Sequence, residues 1–116
     1  MAQKTATELQ QIISRLRDIF KRRRVRRAIL FGSFARGEPS RRSDLDLLVV
    51  QQTGKRWLDR YNGILREVGE AVPGRDVDML IYTPQELEDQ CDNPLVARAL
   101  REGKVIYESD QESTSS

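Results

Sequence analysis

The run Leu45-Asp46-Leu47-Leu48-Val49-Val50 is apolar at every position but one, and that exception constrains the chain more than any other feature. Six such residues, bounded by polar sequence, read as a β-strand. Asp44 stands two residues before Asp46, so both carboxylates point to one face of the strand, about one pleat repeat apart. A divalent cation is the natural partner that keeps two such neighbours ionised. Taken alone, the pair also fits aspartates that guard a strand end against edge pairing.

Around this strand the pattern alternates between helical and extended periods. Leu9, Ile12, Ile13, Leu16, Ile19 and Phe20 form one apolar stripe of a first helix, with Thr5 and Glu8 as a capping box at its start. Ala28-Ile29-Leu30-Phe31 predicts a short buried strand that stops at Gly32-Ser33, where the chain turns. Trp57, Leu58, Tyr61, Ile64, Leu65 and Val68 recur at helical spacing, and Val72-Pro73-Gly74 stops that helix. Val77–Tyr82 reads as a third long strand with Asp78 inside it. Thr83-Pro84-Gln85-Glu86 then supplies an N-cap, a proline at the first helical position and a capping-box glutamate. Asn93-Pro94 opens a last helix that carries Leu95, Val96, Ala99 and Leu100 and ends at Gly103, and Val105-Ile106-Tyr107 predicts a short final strand. Residues 1–108 are expected to form one domain, and the polar residues 109–116 a disordered tail.

Composition removes several function classes. No apolar run approaches the roughly 18 residues of a membrane span, and the N-terminal residues lack the apolar core of a signal peptide, so the cytoplasm is the expected address. The chain has no histidine and a single cysteine, Cys91, too few ligands for zinc. Any metal is therefore held through oxygen, which points to a hard ion such as Mg²⁺. Residues 1–60 carry 15 Lys and Arg against 6 Asp and Glu, and residues 61–116 carry 5 against 12, so the halves stand at about +9 and −7. That split suggests an anionic ligand or partner for the first half.

Gly32-Ser33 follows the first strand and precedes a short helix expected around Phe34-Ala35-Arg36, an arrangement that aims backbone N–H groups at an anion. Glycine lets a phosphate approach the main chain, Ser33 adds a hydroxyl donor, and Arg36 adds a charge-assisted contact. Gly-Ser alone is common in ordinary turns. Read together, Gly32-Ser33-Phe34-Ala35-Arg36-Gly37 and, ten residues after the Gly-Ser, Ser43-Asp44-Leu45-Asp46-Leu47 resemble the signature of the polymerase-β-like nucleotidyltransferase superfamily. The nearest likeness is to the minimal nucleotidyltransferases of prokaryotes, and it extends through the Thr83-Pro84 helix to Ala99-Leu100-Arg101-Glu102-Gly103.

The resemblance implies an α+β fold, a small mixed sheet flanked by helices. It also implies a third carboxylate on a neighbouring strand, for which Asp76 and Asp78 are the candidates. The family's third aspartate sits inside an apolar strand, as Asp78 does between Val77 and Met79, where a carboxylate without a partner is costly. Asp76, at the strand entry, reads as a solvated turn residue. By the same resemblance, two Mg²⁺ ions are held by Asp44, Asp46 and Asp78, Gly32 and Ser33 seat the β- and γ-phosphates of a nucleoside triphosphate, and a hydroxyl attacks the α-phosphorus with pyrophosphate leaving. Arg36, Arg41 and Arg42 are candidate triphosphate contacts. The implied activity is transfer of a nucleotide, AMP from ATP in the first instance, to a hydroxyl on a partner protein. The family habit makes that partner a helical HEPN-domain protein, with this chain as the antitoxin-like member of a toxin and antitoxin pair.

Two other readings compete. One is a catalytically idle module that binds a partner through the same surface, which has no need of three convergent acids. The other uses the basic residues 21–27 to bind nucleic acid. That run also fits the solvated C-terminal end of the first helix, where cations suit the helix dipole, and no aromatic residue interleaves with it to stack bases. Trp57 and Tyr61 read as packing on a helix face rather than as a base platform.

Overall fold

A computed structural model describes residues 2–32, 44–56, 58–74 and 76–109, without the side chains of residues 2–7. Helix α1 (Ala2–Arg22) leads into strands β1 (Arg27–Phe31) and β2 (Leu45–Val50). A 3₁₀ turn at Leu58–Tyr61 and helix α2 (Ile64–Ala71) precede β3 (Val77–Tyr82), helices α3 (Pro84–Asp89) and α4 (Pro94–Glu102), and strand β4 (Lys104–Glu108). The four strands form one mixed sheet in the order β3-β2-β1-β4. β1 is antiparallel to both β2 and β4, and β2 runs parallel to β3.

The stripe read from α1 is what anchors the helix. Ile12, Leu16, Ile19 and Phe20 are buried with Leu45, Leu47 and Val49 of β2, Met79 and Ile81 of β3, and Ile64 and Val68 of α2. Burial of side chains of this size contributes about 1.5–3 kcal/mol each. A smaller cluster, Ile29, Phe31, Leu48 and Ala99, fills the opposite face beneath α3 and α4.

The N-terminus differs from expectation. α1 already runs from Ala2, so Thr5 lies within the helix rather than capping it, because the stripe leaves its starting point open. At the other end Val25 N–H donates to the Phe20 carbonyl at 2.9 Å and Arg24 N–H to that of Lys21 at 3.2 Å. This is the paired hydrogen-bond closure of a helix whose C′ residue is left-handed, and Arg24 adopts φ 59° there. A side chain at such a φ costs about 1–2 kcal/mol. Arg24→Gly is therefore expected to raise stability by about 0.5–1 kcal/mol, read as a higher urea midpoint at unchanged slope. A lower midpoint would mean that the arginine side chain does more than its backbone costs.

The helix read across residues 57–68 is broken in two. Gly63, at φ 80°, separates the 3₁₀ turn from α2, and Leu58 is 79% exposed rather than packed. Periodicity could not detect the break, because the apolar spacing continues through it. The caps of the next two helices match the sequence: Thr83 and Glu86 close a capping box on α3, and Asn93 accepts from Leu95 N–H at the start of α4.

Gly103 closes α4 in extended conformation at φ −77°. It is required for space, since an added Cβ would stand 2.4 Å from both the Ala99 carbonyl oxygen and Ile29 Cγ2. On the edge strand β4 the register slips between Ala28 and Ile29, leaving Ile106 without a partner residue. Such a bulge discourages pairing with another chain.

Candidate active site

Strand register assembles the candidate residues. Asp46 pairs with Asp78 across the parallel β2–β3 ladder, and Phe31 pairs with Asp46 across β1–β2. Paired residues share a face, so Asp46 and Asp78 project side by side from backbones roughly 4.8 Å apart. Asp44, two residues before Asp46, lies on the same side. The core dictates this parity: Leu45, Leu47, Val49, Met79 and Ile81 are buried on the α1 and α2 face, and a slip of one residue would carry a carboxylate into that layer. Asp44 and Asp78 are exposed and Asp46 is half-buried, all at the N-terminal ends of the two parallel strands.

Gly32 continues β1 beside this row. It adopts φ 77°, and a Cβ added there would stand 2.2 Å from Asp46 Oδ2. The glycine therefore supplies both a left-handed turn and the room that the Asp46 carboxylate occupies. Asp76 lies just before β3, where its carbonyl accepts from Leu45 N–H at 2.9 Å and the residue is exposed. Its main chain helps to set the β2–β3 register. Ser33, Arg36, Arg41, Arg42 and Trp57 lie outside the described residues.

The donor set is made of carboxylate oxygens alone, which suits a hard divalent ion, and the space at Gly32 adjoins one of them. Among the described residues no three acidic, histidine or cysteine side chains stand close enough together to hold a metal ion as they are. The row of Asp46 and Asp78 with Asp44 beside it therefore suits such an ion in donor type, without the three side chains being gathered around one point.

Much of the basic run is engaged within the fold. Arg22 and Arg23 both pair with Glu67 of α2, and Arg27 pairs with Glu108 of β4 at 2.8 Å. The Arg23 hydrogen bond, with help from Arg22, holds the Glu67 carboxyl below its ordinary range. These arginines tie the end of α1 to α2 and β1 to β4, which the sequence reading as a solvated helix end did not include.

Tyr61 also has a role beyond packing. Its hydroxyl accepts from Ile81 N–H at 3.0 Å, and Arg60 Nη1 donates to the Ile81 carbonyl at 3.3 Å. Burial raises the Tyr61 hydroxyl above its ordinary range, offset in part by that Ile81 N–H. The 3₁₀ turn thereby covers the outer edge of β3 at Ile81. Arg60, with only 7% of its side chain exposed, forks onto both oxygens of Glu86, which also accepts from Thr83 N–H. No local pattern announces this link, because its partners come from elements far apart in sequence.

The Arg60 hydrogen bond, followed by that from Thr83, lowers the Glu86 carboxyl from 4.5 to about 2. A carboxyl depressed in the folded state adds stability above its unfolded value and loses it as pH falls through the folded one. The contribution of Glu86 is therefore expected to fade between pH 4.5 and about 2. Thermal melts of Glu86→Gln should show a shallower decline across that window than the parent; parallel declines would assign the acid sensitivity to other groups.

Comparison with known proteins gives the class. The family model described as polymerase beta, nucleotidyltransferase matches residues 14–112, and the chain belongs to that family. Two proteins of Methanocaldococcus jannaschii, both provisionally named protein adenylyltransferases, are similar in sequence. One is 36% identical over 71% of this chain and 58% of its own length, and the other 45% identical over 50% of this chain and 60% of its own. The chain thus spans about three fifths of each relative. A toxin–antitoxin structure with AMP-PNP superposes at TM-score 0.63 with 19% identity, covering 89% of this chain and 78% of that one. A complex of a tri-AMPylated Shewanella oneidensis HEPN toxin with an MNT antitoxin superposes at 0.55 with 20% identity, covering 99% and 79%. These likenesses establish the fold. Among the described residues no helix is long and apolar enough to cross a membrane.

Proposed function

We propose that the chain is a metal-dependent nucleotidyltransferase that moves AMP from ATP to a hydroxyl on a partner protein. The observation that carries this reading is the register that sets Asp46 opposite Asp78 with Gly32 against the Asp46 carboxylate. Asp46 and Asp78 share one face of the sheet, opposite the layer that packs against α1 and α2.

In this reading Asp44, Asp46 and Asp78 hold Mg²⁺, two ions by the resemblance. A divalent ion bound to them supplies Lewis acidity towards the attacking hydroxyl and the leaving phosphates. Gly32, with Ser33 and Arg36 after it, seats the β- and γ-phosphates, and positioning of this kind carries much of the rate of phosphoryl transfer. Asp78, on the outermost strand of the three, faces the incoming hydroxyl and takes its proton. The acceptor oxygen forms a bond to the α-phosphorus, the bond from that phosphorus to the bridging oxygen breaks, and pyrophosphate leaves. The names of the relatives and of the superposed complexes support a protein acceptor. We take that partner to be a HEPN-domain protein, this chain to be the antitoxin-like member of the pair, and the cytoplasm to be its address.

The test is incubation of the protein with host lysate, Mg²⁺ and ATP labelled at either the α- or the γ-phosphate. A protein band labelled by the α-form only, and lost with an Asp44→Asn/Asp46→Asn double variant, is the expected result. Label from the γ-form would indicate a kinase reaction instead. No band at all, from a folded protein that binds ATP, would favour the idle binding module. Nucleic-acid binding through residues 21–27 would instead survive the double variant and fall steeply with salt.

A further inference from the structure

Among the described residues, hydrogen-bond parity along β3 leaves one part of the sheet edge unbonded next to the carboxylates. The carbonyls of Asp76 and Tyr82 accept from Leu45 N–H and Gln51 N–H, so the even residues of β3 turn their main chain inward to β2. Odd residues therefore turn theirs outward. At Ile81 the outward N–H and C=O are taken by Tyr61 and Arg60, and Ile81 is fully buried. Among the described residues nothing bonds the outward main chain of Val77 or Met79. Exposure rises along the strand in the same direction, from Ile81 at 0% to Met79 at 8%, and on to a half-buried Val77 flanked by an exposed Asp78. The strap that closes this edge stops short of Asp78.

We infer that the acceptor binds as an extended segment added to β3 at Val77 and Met79, with its hydroxyl residue opposite Asp78. This rests on the nucleotidyltransferase reading and specifies the substrate class: a hydroxyl-bearing residue in an unpaired strand or chain terminus. An added strand lies about 4.8 Å from β3, and a residue opposite Asp78 points to the same sheet face. In antiparallel pairing that position is the closely spaced kind, with Cα atoms about 4.5 Å apart. The order across the face becomes Gly32, Asp46, Asp78 and the acceptor hydroxyl. The phosphate seat and the acceptor then lie on opposite sides of the carboxylates, as in-line displacement requires. Main-chain pairing supplies the docking while tolerating varied flanking side chains.

The experiment uses nine-residue degenerate peptide libraries with tyrosine, serine or threonine at the centre, offered with Mg²⁺ and α-labelled ATP. A matched library carries N-methyl groups on the central residue and both its neighbours, which blocks strand pairing in either direction. The expected result is labelling of the plain library at least tenfold above the methylated one. In the Val77→Pro variant, which removes one outward N–H at the first residue of the strand where proline is tolerated, labelling of the plain library should fall about tenfold while ATP affinity stays within twofold. Equal labelling of the two libraries would overturn the inference, as would labelled lysate proteins with both libraries blank, since the acceptor then docks by a folded surface. Blank libraries and a blank lysate together would sink the transferase reading itself.

Discussion

Asp78→Asn is expected to reduce nucleotidyl transfer by about 10²–10³-fold, while Asp76→Asn stays within about threefold of the parent. Both substitutions remove one negative charge from β3 or its entry, so bulk electrostatics predicts similar effects. Register predicts a contrast. Asp78 is the residue opposite Asp46, whereas the contact of Asp76 to the fold is made by its main-chain carbonyl to Leu45 N–H, which asparagine retains. Asparagine also keeps the size of the side chain, so both variants should melt within about 1 kcal/mol of the parent. Initial rates on the labelled acceptor check this. A large loss in Asp76→Asn with activity left in Asp78→Asn would reverse the assignment of the third carboxylate.

Gly32→Ala is the second large effect, and it should damage both fold and activity. The residue sits at φ 77°, where a side chain costs about 1–2 kcal/mol. For a domain of this size that lowers the melting temperature by roughly 4–8 °C per kcal/mol. The steric term is more serious: the new methyl would stand 2.2 Å from Asp46 Oδ2, so either the carboxylate or the turn must move. Misplacement of a reacting group by about 1 Å can cost 10²-fold, and a loss of at least that size is expected even where the variant is fully folded. Gly74, at φ 82°, has nothing among the described residues within 4 Å of an added Cβ. Gly74→Ala therefore pays the backbone cost alone and separates the two terms. Activity in Gly32→Ala equal to that in Gly74→Ala would show that Asp46 does not need the space.

The strands, the helical stripe and most caps were legible because each is set by local chemistry. Leu45–Val50 and Val77–Tyr82 have the bounds read from their apolar runs, and Thr83, Glu86 and Asn93 cap where their side chains reach their own helix. What misled was periodicity followed past a local turn signal, Asn62-Gly63. The apolar spacing from Leu58 to Val68 passes through Gly63, and only its positive φ turns one expected helix into a 3₁₀ turn and a shorter helix. The basic run was legible as charge, while its pairing with Glu67 and Glu108 joins residues more than 40 positions apart in sequence and could not be read locally.

The sequence alone determined which residues could carry chemistry: a glycine after one strand, carboxylates inside two others, and no histidine and a single cysteine to compete for a metal. It determined this because side-chain identity and strand parity are local properties. Tertiary structure decided that those residues stand side by side on one face. Only the parallel register of β2 on β3 sets Asp46 against Asp78, and only the packing of α1 and α2 on one face of the sheet forces both to the other. The edge left unbonded beside Asp78 among the described residues was likewise invisible beforehand, since it depends on where the strap of Arg60 and Tyr61 ends, and long-range hydrogen bonds decide that.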